Sequence, residues 1–178
     1  MVAPLKFLID RQLSPIGTLL LVCDDDGYLR ALDFRDYEKR MCQLLCRHYG
    51  GVAPLLIRGR APSRITKRIS DFFAGELTAI DSIPVAMGGT KFQRKLWTEL
   101  RRIPAGTTTT YAKLAEVIGH PNACRAVGSA NGANPINIVV PCHRVIAGNG
   151  ALTGYGGGIE RKQWLLEHEY RHASLGDS

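Results

Sequence analysis

Between Ile83 and Gly89 the pattern of the chain changes, and that break limits the folds open to it. Before it, short apolar runs alternate with turn residues; after it, apolar residues recur at helical spacing. Pro84 and the Gly88-Gly89 pair mark the join. They predict an α/β portion over residues 1–86 and a mainly helical portion over residues 87–178. At 178 residues in all, the chain suits one large domain or two small ones sharing a core.

In the first portion, Leu5 to Ile9, Leu19 to Cys23 and Tyr28 to Phe34 are separated by Ser14-Pro15-Ile16-Gly17 and Asp24-Asp25-Asp26-Gly27. This reads as a small antiparallel meander. The three aspartates read as a hairpin tip whose side chains bond local backbone, not as a metal cluster. Two amphipathic helices follow, around Tyr37 to Tyr49 and Arg64 to Phe73. Cys42 and Cys46 share a helix face near His48, a spacing open to zinc, but small apolar packing is the better reading, so no metal is expected.

Hydrophobic residues at 45% and charged residues at 22% exclude general disorder. The longest apolar stretches fall far short of the roughly 20 residues that span a bilayer. Met1 to Asp10 lacks the pattern of a secretory signal. Five cysteines without a repeating framework suit a reducing compartment, so a cytoplasmic protein with at least one free thiol is expected. The net charge is +7 and uneven: 12 basic against 10 acidic residues in 1–86, and 11 against 6 in 87–178. A basic C-terminal half is what attraction to phosphates needs.

Thr90 is positioned to cap a helix carrying Phe92, Leu96, Leu100 and Ile103, which Pro104 and Gly106 stop. From Thr110 a short helix carries Tyr111, Leu114, Ala115 and Ile118. Gly119-His120-Pro121 breaks it, and Asn122 is read as the cap of a second helix running through Ala130. The spacing is that of a helix-turn-helix. Nearly every side chain of the second helix is small, so it has little with which to read bases in a major groove, but its backbone can approach a minor groove closely. Its one long basic residue, Arg125, either wedges into stacked bases or makes a surface ion pair.

Residues Ile136 to Pro141 read as a buried strand ending in Cys142-His143-Arg144. A reactive thiol needs a base or cation beside it, and His143 and Arg144 are the immediate candidates. Adjacent side chains in extended chain point to opposite faces, so a water is expected to bridge Cys142 and His143. The Gly-dense run Gly148 to Gly158 can wall a flat pocket with backbone donors. A helix around Arg161 to Glu169 follows, and Glu169 can return to orient His143.

Pro141-Cys142-His143-Arg144-Val145 closely resembles the O6-alkylguanine-DNA alkyltransferases. So do Arg125-Ala126-Val127-Gly128, Asn134-Pro135, Gly154-Tyr155, Gly157-Gly158 and Trp164-Leu165-Leu166 to Glu169. The resemblance is continuous over residues 90–170. Ser14 to Gly17 and Phe72 to Gly75 extend it toward the bacterial Ogt-type members. It implies a ribonuclease H-like N-terminal sheet and a C-terminal domain with a helix-turn-helix and an active-site cysteine turn. It also implies single-turnover, irreversible transfer of a methyl or larger alkyl group from guanine O6, or thymine O4, in DNA to Cys142, with no cofactor.

By the same resemblance, Glu169 orients His143, which polarises a water that takes the Cys142 proton, while Tyr111 donates to N3 of a flipped base. Val145, Tyr155, Gly156 and Asn137 line the base pocket. Arg125, Ala126, Gly128, Asn131 and Thr110 form the DNA-binding face, and Asn134 is the structural hinge. Gly156 stands where some members carry Ser, and Asn137 where others carry Pro. The expected partner is duplex DNA, bound through the minor groove without sequence specificity by a monomer, with cooperative binding as a further expectation and no membrane partner. Two rivals are an alkyl-lesion sensor, whose relatives replace the cysteine, and a helix-turn-helix regulator, which the small side chains of the second helix disfavour.

Overall fold

The computed structural model describes residues 4–176. Strands β1 (Lys6–Gln12), β2 (Leu19–Cys23) and β3 (Leu29–Phe34) form the expected antiparallel meander. The Asp24 carboxylate accepts from the backbone N–H of Asp26 and Tyr28, and Gly27 supplies the left-handed residue that closes this hairpin. β2 is buried on both faces, and its period of two divides it between two cores. Leu19, Leu21 and Cys23 join the main core; Leu20 and Val22 pack with Met41 and Leu45 of α1 (Glu38–His48).

A fourth strand, β4 (Leu55–Arg58), pairs parallel to β1, so the order is β3-β2-β1-β4. Sequence reasoning missed it because it is a four-residue edge strand, mostly exposed and without alternation. α2 (Ser63–Phe73) buries Ile65, Ile69 and Phe72. The join around Pro84 is stitched to the sheet: Leu29 N–H donates to the Pro84 carbonyl, and Ala86 N–H donates to that of Leu29.

The remainder is mainly helical. Thr90 and Gln93 form a reciprocal capping box on α3 (Lys91–Leu100), which ends three residues before Ile103. β5 (Thr109–Thr110) leads into α4 (Tyr111–Val117), capped by the Thr110 side chain. α5 spans Cys124–Gly132, and here the expected cap is corrected. Ala123, not Asn122, precedes the helix, because a backbone bond from Ala123 N–H to the His120 carbonyl closes the turn first. The Trp97 indole N–H donates to the Ala130 carbonyl at 2.9 Å and ties α3 to α5.

The segment before Cys142 is also corrected: it is a buried series of turns, not a strand. Asn134 folds it, its Nδ2 donating to the Val140 carbonyl at 2.7 Å and its Oδ1 accepting from Ile136 N–H at 2.9 Å. Ile138 consequently sits at φ 71°, the only non-glycine among the described residues in the left-handed region. The segment hydrogen-bonds to the sheet at β3, where Leu32 N–H donates to the Pro135 carbonyl and the Leu32 carbonyl accepts from Asn137 N–H. Cys142–Arg144 form a single 3-10 turn. β6 (Val145–Ile146) then pairs parallel with β5, and α6 (Ile159–Gly176) closes the chain. One core cluster crosses the 86/87 boundary, from Leu19 to Leu165. No helix among the described residues is long and apolar enough to cross a membrane.

Candidate active site

The 3-10 turn places three consecutive polar groups in the core. Cys142 is 3% exposed, His143 fully buried and Arg144 2% exposed. Such burial demands partners, and α6 provides the main one. Glu169 Oε1 lies 2.7 Å from His143 Nε2 and 2.8 Å from Arg144 Nη2, while Oε2 accepts from Arg144 Nε at 2.9 Å and from Gly106 N–H at 3.2 Å. Burial alone would raise the Glu169 pKa; His143 and the Arg144 fork reverse the sign and bring it down to about 2.

An ionised carboxylate only accepts hydrogen bonds, so the imidazole proton must sit on Nε2. The lone pair is then on Nδ1, which is buried and has no hydrogen-bond partner. Burial holds the His143 pKa below its ordinary value, against the pull of Glu169, and the ring is neutral near pH 7. Arg144 is not the cation of the thiol: its guanidinium turns to Glu169 and donates to the Ile103 carbonyl at 2.6 Å. Of the two candidates beside Cys142, that leaves His143.

Around this turn the chain supplies fixed donors and walls. Asn131 donates to the Cys142 carbonyl at 3.4 Å, and Lys162 donates to those of Val145 and Thr153 at 2.6 and 2.8 Å. The Tyr111 hydroxyl reaches the Thr153 carbonyl at 3.4 Å, and the Tyr155 hydroxyl is buried without a partner. Two glycines of the following loop lie close to side chains: a Cβ at Gly156 would fall on the Arg40 guanidinium, and one at Gly157 on the Phe34 ring. Gly156 therefore fits this chain, in which Arg40 occupies the space a larger residue would need.

On α5, Arg125 and Ala126 are exposed, and Arg125 has no ion pair among the described residues. Gly128 and Thr110 are partly exposed. Asn131 differs from the expectation: it is 4% exposed and turned inward, away from Arg125. Sequence reasoning missed Asp33, Arg40, Lys162 and Arg161. Lys162 had a signal, since it lies seven residues before Glu169 and shares with it the buried face of α6 that carries Leu165. Arg161 stacks 4.1 Å from the Phe34 ring and donates to the Ile16 carbonyl, a contact 145 residues away that no local pattern announces. No group of three or more His, Cys, Asp or Glu side chains able to hold a metal occurs among the described residues.

Comparison with known proteins places the chain in one family. The family described as "6-O-methylguanine DNA methyltransferase, DNA binding domain" matches residues 91–171. Proteins named methylated-DNA--protein-cysteine methyltransferase are similar over nearly the whole chain. One from Shigella flexneri is 48% identical over 93% of this chain and 96% of its own. One from Salmonella typhimurium is 49% identical with the same coverage. The crystal structure of Mycobacterium tuberculosis OGT in complex with DNA superposes with a TM-score of 0.77 at 39% identity, covering 93% of this chain and 94% of that one. The chain belongs to the methylated-DNA--protein-cysteine methyltransferase family.

Proposed function

We propose that Cys142 is the alkyl acceptor of this chain and that His143, Glu169 and Tyr111 serve its reaction. As a member of its family the chain is a DNA-repair enzyme, moving an alkyl group from a base in DNA to one of its own cysteines. The observation that carries the assignment is the buried Cys142-His143 turn with Glu169 fixing the imidazole proton on Nε2, which leaves Nδ1 as the lone pair able to take a proton.

In the step, sulfur attacks the alkyl carbon as the carbon–O6 bond breaks, and the electron pair leaves on guanine. The thiol proton passes through a bridging water to His143 Nδ1. Tyr111 donates to N3 of the departing base and answers its developing charge. The thioether has no easy exit, so each molecule acts once; thymine O4 is a second alkyl donor. Tyr155, Gly156, Val145 and Asn137 wall the base pocket, and no cofactor enters.

The same reading takes the chain as two domains, 1–86 and 87–178. The sheet is ribonuclease H-like, which the order β3-β2-β1-β4 supports. α4 and α5 form a helix-turn-helix, which their packing across residues 118–123 supports. The protein works as a cytoplasmic monomer that binds duplex DNA through the minor groove without sequence preference, and cooperativity on DNA belongs to the same reading. Arg125 and Ala126 face that groove with Thr110 and Gly128, Asn131 backs the turn, and Asn134 is the hinge. Arg125 fills the stack vacated by the flipped base, and its exposure without an ion pair supports this.

The test compares Arg125→Ala on two substrates, a duplex carrying O6-methylguanine and a free O6-alkylguanine base. Flipping costs a few kcal/mol only in the duplex. The duplex rate is expected to fall at least about tenfold while the free-base rate holds. Equal losses on both would reject the wedge.

A further inference from the structure

The Cys142 thiol has an acceptor of its own, and it is not His143. Sγ lies 3.6 Å from Asn137 Oδ1, and both residues are buried. Nδ2 of the same amide donates to Asp33 Oδ1 at 2.9 Å, across a sequence separation of 104 residues. Asp33 is 1% exposed, and its other partners are Phe34 N–H at 2.9 Å and Arg40 Nη1 at 2.7 Å. Phe34 N–H and the Arg40 guanidinium both donate, the latter as an ion pair, so the carboxylate accepts and the Asn137 amide presents its N–H to it. Its carbonyl oxygen is thereby fixed toward the sulfur. Arg40 holds the other end of the same segment, donating through Nη2 to the carbonyls of Gly132 at 2.7 Å and Asn134 at 3.4 Å.

We infer that Asn137 is a positioning residue that holds Cys142 as the protonated thiol, and that the Asp33–Arg40 pair of the N-terminal half sets the polarity of that hold. The inference rests on the reading of Cys142 as alkyl acceptor. An amide oxygen accepts from S–H and repels S⁻, so it favours the neutral form. The charged and titratable groups facing the sulfur are Arg40 from α1, Lys162 from α6, Asp33 from β3, His143 beside it and Tyr155 from the glycine loop. Burial pushes the thiol up, and Asn134, Arg40 and Lys162 oppose it.

A protein that uses its thiol once loses its whole function to any stray electrophile. A thiol hydrogen-bonded to Asn137 is shielded from that loss. Its proton leaves for His143, through water, only as sulfur turns from Asn137 to the alkyl carbon. The N-terminal half thus has a chemical task beyond supporting the fold.

The test is alkylation of Cys142 by iodoacetamide as a function of pH, read by mass spectrometry of the Cys142 peptide. It needs neither DNA nor transfer, so its failure is distinct from failure of the repair reading. Asn137→Ala removes the acceptor. Asp33→Asn lets the amide invert and donate to sulfur. Both are expected to move the midpoint of the pH profile down by about one unit, making the reaction about tenfold faster at a fixed pH below that midpoint. Looser packing alone would raise the rate at every pH and leave the midpoint in place; an unmoved midpoint in both variants overturns the proposal. The wild-type protein gives a measurement independent of variant folding. The S–H stretching band of Cys142, isolated by subtracting the spectrum of Cys142→Ala, is expected below that of an unbonded thiol, and a band at the unbonded position overturns the proposal.

Discussion

Both oxygens of Glu169 are engaged by groups that donate, and this fixes how a neutral histidine can work at a buried turn. Glu169→Gln places an amide N–H against at least one donor and releases the imidazole proton from Nε2. It also leaves Arg144 buried without its counter-charge. We expect single-turnover transfer to slow by about 10²-fold and unfolding free energy to fall by about 3–5 kcal/mol. Stopped-flow repair kinetics and urea titration check the two effects; a destabilised variant that transfers at the native rate would remove Glu169 from the reaction. The sequence made Cys142, His143 and Glu169 legible through the consecutive Cys142-His143-Arg144 and an apolar helix carrying Glu169, although α6 runs on past Glu169 to Gly176. Asp33 and Arg40 were not legible: their contacts to Asn137 and Gly132 join residues about a hundred positions apart, which no local spacing encodes.

At the scale of elements, what could be read followed from periodicity and caps. β1 to β3, both early helices and the Thr90 cap were visible because apolar runs between turn residues, helical spacing and a capping residue each left a local signal. The turn segment Asn134 to Pro141 was not, because its apolar composition suits a strand while the Asn134 side chain folds it back on itself. Side-chain competition for backbone groups overrode propensity there. The capping box offers a contrast far from the chemistry. Thr90→Ala removes the acceptor of Gln93 N–H and is expected to cost about 1 kcal/mol in urea unfolding. The transfer rate at saturating oligonucleotide is expected to stay at the native value. A loss of transfer without a loss of stability would show that the start of α3 acts on the site.

Across the whole molecule, titration links the site to stability. Burial depresses the pKa values of His48, His143 and His168. The unfolded chain therefore binds protons near pH 6.5 that the native chain refuses, so stability is full above that pH and falls below it. The fully buried His143 contributes a slope of up to about 1.4 kcal/mol per pH unit in that range. Glu169, drawn down to about 2, adds stability that is present above its ordinary value and lost as pH falls from there toward 2. Urea midpoints measured from pH 8 to pH 5 are expected to be level and then decline; a midpoint that rises on acidification would contradict neutral burial of these rings.

Transfer of the alkyl group to Cys142 changes the mass of the protein, and mass reads it. The protein is mixed with excess duplex oligonucleotide carrying O6-methylguanine, then weighed intact and as peptides. One added methyl per molecule is expected, carried on the Cys142 peptide, with guanine restored in the DNA. A protein of unchanged mass that still binds the lesion more tightly than plain DNA, or a methyl found on Cys23, Cys42, Cys46 or Cys124, would contradict it.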